Sequence, residues 1–218
     1  MSAPAFSNNL SAVVLSGGQS RRMGGKDKGL LELAGKPMIS YVLGSLKNHI
    51  SDIMISTNSA DVRYQQMSHR CIKDILKGNL GPLAGIHSAL SNSQHSRVLI
   101  TACDSPFLQT ALCSRLIKAM DSSNAMMAVA HDGEHVQNTF SVIDIRLKTN
   151  LEQYLQRGGR RLMTWIKEQH AIEVDFSDVK GSFLNINSTQ DFKNAKKLNS
   201  FNQRVAAAYA LTDSSIDS

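Results

Sequence analysis

The sequence predicts an α/β fold with a mostly parallel, mixed central sheet. Three observations lead there. Short apolar runs rich in β-branched residues, such as Ala12–Leu15, DIMIS at 52–56 and RVLITA at 97–102, are too brief for helices. Segments of helical period separate them, and strands alternating with helices build a parallel sheet. Two later runs flank HDGEH at 131–135, whose turn chemistry makes a hairpin and so brings in antiparallel pairing.

The elements follow in chain order. Ala12–Leu15 is the first strand, and a Gly-rich basic stretch follows it directly. Gly35-Lys36 marks a turn before Pro37, which opens a helix through MISYVLGSLKNHI with Ile39, Val42, Leu43 and Leu46 on one face. Asp52–Ser56 is a strand, Ala60–Met67 a helix, and Cys71-Ile72 a short strand ending near Asp74. GNLGPLAG at 78–85 turns into a helix over 83–90. Arg97–Ala102 is the most strand-like run and ends on Cys103-Asp104-Ser105-Pro106, before a helix over 108–120. Strands over 125–131 and 137–144 form the hairpin. Helices over 147–156 and 161–169 enclose the basic knot Arg157-Gly158-Gly159-Arg160-Arg161. FLNIN at 183–187 reads as a last strand whose alternation puts Asn185 and Asn187 on one face. A capped helix over 189–198 follows. One domain is expected over 11–198, its N-terminal half binding nucleotide and its C-terminal half the acceptor. A short extension precedes it at 1–10, and a partly disordered tail follows at 199–218.

The chemistry concentrates after the first strand, in SGGQSRRMGGKDKG at 16–29. Glycines let successive backbone N–H groups approach an anion, and Arg21, Arg22, Lys26 and Lys28 add full charge beside them. Such a loop suits a polyphosphate. It fits neither the G-x-x-x-x-G-K-[ST] register of a P-loop nor a G-x-G-x-x-G fingerprint. The N-K-x-D base motif of a GTPase switch is absent too. Asp104, at the end of a central strand, suits Mg²⁺ or a helix N-cap, and the upstream phosphate loop favours the metal.

Several classes find no support. No H-E-x-x-H pattern marks a zinc hydrolase, and no Ser/His/Asp or Cys/His set marks a nucleophilic enzyme. The three cysteines, Cys71, Cys103 and Cys113, lack paired or metal-like spacing, which fits a reducing cytoplasm. Met1–Leu10 is no signal peptide, and no apolar run reaches the length of a membrane span. The net charge of +6 suits an anionic partner. Nucleic acid ranks low, because the basic residues gather in Gly-rich turns without aromatic-lined strands or a basic helix.

The run LSGGQSRRMGGKDKGLLEL resembles the nucleotidyltransferase signature, and more closely the molybdenum cofactor guanylyltransferases. The likeness continues through Gly35-Lys36-Pro37, Gly81-Pro82-Leu83-Ala84-Gly85, Cys103-Asp104-Ser105-Pro106, His131-Asp132-Gly133 and Asn185-Ile186-Asn187. It implies a Rossmann-like three-layer α/β/α nucleotidyltransferase fold that transfers GMP from GTP to molybdopterin, carrying molybdenum or not. It implies that Leu15, Ser16, Gly17, Gly18, Lys28, Ser56, Asn58, Asp74 and Asp104 bind GTP, with Ser56 standing where the family carries asparagine. Arg22, Lys28 and Asp104 would be catalytic, with Asp104 holding Mg²⁺, for which Mn²⁺ would substitute. Gly81, Pro82, Gly85, Arg160, Arg161, Asn185 and Asn187 would meet the acceptor. Partners among molybdenum cofactor maturation proteins and molybdoenzyme chaperones are implied as well. The alternatives are a molybdopterin cytidylyltransferase, a transferase for a sugar or polyol phosphate, and a non-catalytic nucleotide binder.

Overall fold

The computed structural model describes residues 9–17, 27–33, 35–78, 80–109, 111–186 and 191. The strands among them are β1 Leu10–Leu15, β2 Glu32–Leu33, β3 Lys36–Pro37, β4 Asp52–Ser56, β5 Arg70–Ile72, β6 Arg97–Ala102, β7 Met127–His131, β8 Val136–Asp144 and β9 Ile172–Asp175. Seven of them form one sheet in the order β5-β4-β1-β6-β8-β7-β9. β1 runs parallel to both β4 and β6, and β5 runs parallel to β4. β8 is antiparallel to β6 and to β7, while β9 is parallel to β7. The sheet is therefore mixed through its hairpin, as HDGEH predicts.

All six residues of β1 are buried, which is what a strand covered on both faces requires. Ala12 and Val14 enter one core with Ile39, Val42 and Leu46 of helix α1 (Met38–Leu46) and Leu116 and Met120 of α4 (Ala111–Ser123). Val13 and Leu15 enter the other, against Leu83 and Ile86 of α3 (Pro82–Asn92). That core also takes Leu151 of α5 (Lys148–Gln156) and Trp165 of α6 (Leu162–Glu168). Period-two alternation along one strand thus divides two helix layers. α1 connects β1 to β4 on one face, and α3 returns from β5 to β6 on the other. The crossover changes side at β1 and β6, so the crevice at their carboxyl ends is where an open α/β sheet takes its ligand.

Some elements depart from the sequence reading. The helix expected over 60–67 is one turn, α2 (Val62–Gln65). β2 and β3 pair as a small separate hairpin that turns through Gly35 at φ +81°, a conformation that favours glycine. IEVD forms the parallel strand β9, an element the sequence reading lacks.

FLNIN is not a ladder strand. Phe183 ends a 3₁₀ segment, Ser177–Phe183, and packs edge-on against Phe140 and Phe176. Leu184 is then exposed, while Ile186 is buried against Leu33, Met38 and Tyr41. The segment crosses over the sheet end, tied by the Ile186 N–H donating to the Asp104 carbonyl at 2.9 Å. The helix expected over 189–198, apart from Asp191, the tail at 199–218 and residues 1–8 of the extension expected over 1–10 lie outside the described residues, and Leu10 of that extension already belongs to β1. No helix among the described residues is long and apolar enough to cross a membrane.

Candidate active site

Three strand ends build the floor of the site. Backbone bonds continue the ladder beyond the strands: Ser16 N–H donates to the Ser56 carbonyl at 2.8 Å, and Cys103 N–H to the Leu15 carbonyl at 3.1 Å. The ends of β1, β4 and β6 are thereby held level, and the side chains just past them face one cleft of about 620 Å³. Leu15, Ser16, Gly17, Lys28, Ser56, Asn58, Asp74, Asp104, Gly81, Pro82, Gly85 and Asn185 all line it. Gly18, Arg22 and Asn187 lie outside the described residues.

At the centre Lys28 Nζ stands 3.3 Å from Asp104 Oδ2, both side chains partly exposed to the cleft. Lys28 opens a 3₁₀ turn, Lys28–Leu30, capped by Asp27, whose Oδ1 accepts the Gly29 N–H at 3.2 Å. Asp104 leaves β6 well before α4 begins at Ala111, so it does not cap that helix. Its neighbour Ser105 donates to Asn185 Oδ1 at 2.7 Å, which fastens the crossing segment beside it. No group of three or more His, Cys, Asp or Glu able to cage a metal occurs among the described residues. The Asp104 carboxylate, beside the Lys28 ammonium and in a cleft that also holds Asp27 and Asp74, suits instead an ion shared with substrate phosphates, the usual habit of Mg²⁺.

A second polar pair stands at the ends of β4 and β5. Asn58 Nδ2 donates to Asp74 Oδ2 at 2.6 Å, and the Asp74 N–H donates back to Asn58 Oδ1 at 3.1 Å. The two loops lock each other, and the carboxylate is held at the cleft as an acceptor.

The glycines of GPLAG have distinct reasons. Gly81 precedes α3 at φ +59°, where a side chain is strained. A Cβ on Gly85 would stand 2.5 Å from Ser56 Oγ and 2.9 Å from Leu15 Cδ2, so its absence lets the first turn of α3 sit directly on the sheet end.

The basic knot is placed differently. Arg160 and Arg161 do not line this cleft. Arg160 Nη1 donates to the Leu155 carbonyl at 2.8 Å and to the Gly159 carbonyl at 2.6 Å, closing the end of α5. Arg157 pairs with Glu168. α5 starts just past Asp144, whose partner Arg97 opens β6, and runs back along the sheet. The knot therefore emerges toward the cleft end without entering the cleft.

Sequence reasoning missed Asp27, Asn138 and Thr139, which also line the cleft. β8 pairs with β6 only from Ser141 onward, so its polar first half overruns β6 and reaches the site. A nine-residue strand with a polar leading half was the available signal. Cys103 also faces the site, but burial pushes its thiol up to about 12 and keeps it protonated.

A model of the MobA-like NTP transferase domain matches residues 12–172. The chain belongs to the MobA-like NTP transferase family. Relatives within that family agree: the chain is 41% identical over 188 residues to a molybdenum cofactor guanylyltransferase of Histophilus somni (strain 2336), covering 86% of this chain and 96% of that one. It is 42% identical over 183 residues to one from Pasteurella multocida (strain Pm70), covering 84% and 97%. Among solved structures, molybdopterin-guanine dinucleotide biosynthesis protein A from Archaeoglobus fulgidus superposes with a TM-score of 0.73 at 23% identity, covering 87% of this chain and 98% of that one. The 2-C-methyl-D-erythritol 4-phosphate cytidylyltransferase of Thermus thermophilus gives 0.67 at 15% identity, covering 87% and 98%. These last two establish the Rossmann-like nucleotidyltransferase fold of the MobA-like family.

Proposed function

We propose that the chain transfers GMP from GTP to the terminal phosphate of molybdopterin, releasing pyrophosphate. The observation that carries this is the meeting of Lys28, on its 3₁₀ turn, with Asp104 just past β6, with the Asn58–Asp74 pair in the same cleft. The names borne by the relatives supply the acceptor.

An oxygen of the acceptor phosphate forms a bond to the α-phosphorus of GTP. The bond from that phosphorus to the oxygen bridging to the β-phosphate breaks, and its electrons leave with pyrophosphate. No covalent enzyme intermediate is needed, so positioning and charge stabilisation carry the catalysis. Amides at Gly17 and Gly18 hold phosphate oxygens. Arg22 and Lys28 offset the charge that develops on the leaving pyrophosphate. Leu15, Ser16, Ser56 and Asn58 line the nucleoside, and Asp74 accepts the N1–H and amine hydrogens of guanine. A divalent cation, Mg²⁺ with Mn²⁺ as substitute, would be held by Asp104 and supply charge neutralisation at the phosphates. Asn185, Asn187, Gly81, Pro82, Gly85 and, from the rim, Arg160 and Arg161 face the acceptor.

Pyrophosphate release with molybdopterin and each of GTP, CTP, UTP and ATP tests the reading. GTP alone should support rapid release. Equal or greater release with CTP would move the chain to the cytidylyltransferases, and no release with any would leave a nucleotide binder.

A further inference from the structure

Behind Ser16 and Asp27 of the cleft wall lies a buried tyrosine to which the reaction assigns no role. Tyr64, on the single turn α2, is 1% exposed, yet its hydroxyl reaches both flanks of the phosphate-loop region. It donates to Asp27 Oδ1 at 2.6 Å on one side and contacts Ser16 Oγ at 2.5 Å on the other. A carboxylate only accepts, so the one phenolic hydrogen goes to Asp27, and Ser16 donates to the phenol oxygen. Burial, and then the bond to Asp27, push the Tyr64 hydroxyl up, which keeps that hydrogen in place at any working pH. Gly29 fits between them: a Cβ there would stand 2.2 Å from Ser16 Oγ and 2.7 Å from Tyr64 Oη. Asp27 in turn caps the 3₁₀ turn whose first residue is Lys28, 3.3 Å from Asp104.

Resting on the reading of Lys28 and Asp104 as the triphosphate pair, we propose that Tyr64 is a positioning residue: its hydroxyl clasps Ser16 to Asp27 and so fixes where Lys28 stands against Asp104. It touches no substrate. Its residue type matters because a buried ring anchors the clasp while a single hydroxyl serves both flanks. Tyr64→Phe keeps the ring in the core and removes only the clasp.

The test is a double-mutant cycle on the dissociation constant for GTP with Mg²⁺, measured by titration calorimetry on wild type, Tyr64→Phe, Lys28→Ala and the double variant. Tyr64→Phe should weaken GTP binding roughly tenfold, the scale of one hydrogen bond to a charged group, at unchanged stoichiometry. With Lys28 already removed, the same change should cost less than about twofold, because residues that act through one another are not additive. Equal factors in the two backgrounds, or no weakening in the first, overturn the clasp while leaving the site reading intact. No effect of Lys28→Ala alone overturns that reading and the clasp with it. Misfolding lowers the fraction of chains that bind, not the affinity of the rest. Should Tyr64→Phe fold poorly, Asp27→Ala leaves the ring in place and is read against Lys28→Ala by the same criteria.

Discussion

Gly29→Ala adds one methyl group where the structure has no space for it. Ordinary contact begins at 3.4 Å, so the new carbon falls short by about 1.2 Å against Ser16 Oγ and about 0.7 Å against Tyr64 Oη. Neither hydroxyl retreats freely, since Ser16 and Tyr64 are both buried and bonded to each other. The turn bearing Lys28 must therefore move outward, or the Ser16–Tyr64 bond must break. Overpacking of this kind costs ~1–3 kcal/mol. Loss of a buried hydrogen bond adds ~1 kcal/mol. For a chain of this size that lowers Tm by roughly 4–15 °C. Scanning calorimetry measures the shift, and GTP titration should report weaker binding alongside it. Ser16→Ala in the same chain removes the most crowded atom and should recover part of the lost Tm. A Tm within 1 °C of wild type (about the scatter of such scans), with unaltered GTP affinity, would refute the geometry of this turn.

Three further outcomes are expected. Asp52 is buried at the opposite end of the sheet; burial alone would raise its pKa, but donors from Ser11, the Gln94 amide and Arg70 outweigh it and hold it below 3.8. Its stabilisation is therefore complete above the unfolded carboxylate's pKa and fades as pH falls through the folded one. Urea midpoints should drop below about pH 4, and Asp52→Asn should flatten that part of the profile; an unchanged profile would contradict the assignment. Asp74→Asn replaces an acceptor by a partial donor at guanine's edge and should weaken GTP by about tenfold or more while sparing CTP, measured by calorimetry; equal losses for the two would remove Asp74 from base recognition. Arg160→Ala unties the carboxyl end of α5 and should lower Tm by a few degrees, and its proposed place facing the acceptor should also raise KM for molybdopterin at constant KM for GTP; a change in Tm alone would leave Arg160 a cap and remove it from acceptor binding.

Much of the site was readable because its parts sit just past strand ends, and strand ends are marked by abrupt changes from apolar runs to glycine, serine and carboxylate. Ser16, Asn58, Asp74 and Asp104 all sit just past such ends, and the topology brings the ends together. Tyr64 was invisible for the opposite reason. It lies on a single turn amid polar neighbours, where no periodicity announces burial, and its partners are distant in sequence. Asn138 and Thr139 reach the cleft only because β8 is longer than the neighbour it pairs with. FLNIN misled because alternation describes any extended chain, whereas a strand also needs a partner edge; here the backbone N–H groups of Leu184 and Ile186 donate to the Gly181 and Asp104 carbonyls, while the Phe183 ring packs into an aromatic cluster. The charged IEVD concealed β9 because this edge strand only half-buries Ile172 and Val174, and Glu173 and Asp175 face water.

In the proposed reaction Lys28 and Asp104 hold the two sides of one metal-bound triphosphate. A crystal of the protein grown with GTP and Mn²⁺ addresses it directly, through anomalous scattering from the ion. A manganese peak bonded to the Asp104 carboxylate is expected, with the triphosphate against the ion and Lys28 Nζ on its β- and γ-phosphates. A triphosphate bound away from both residues, or an ion bound with no bond to Asp104, would contradict it.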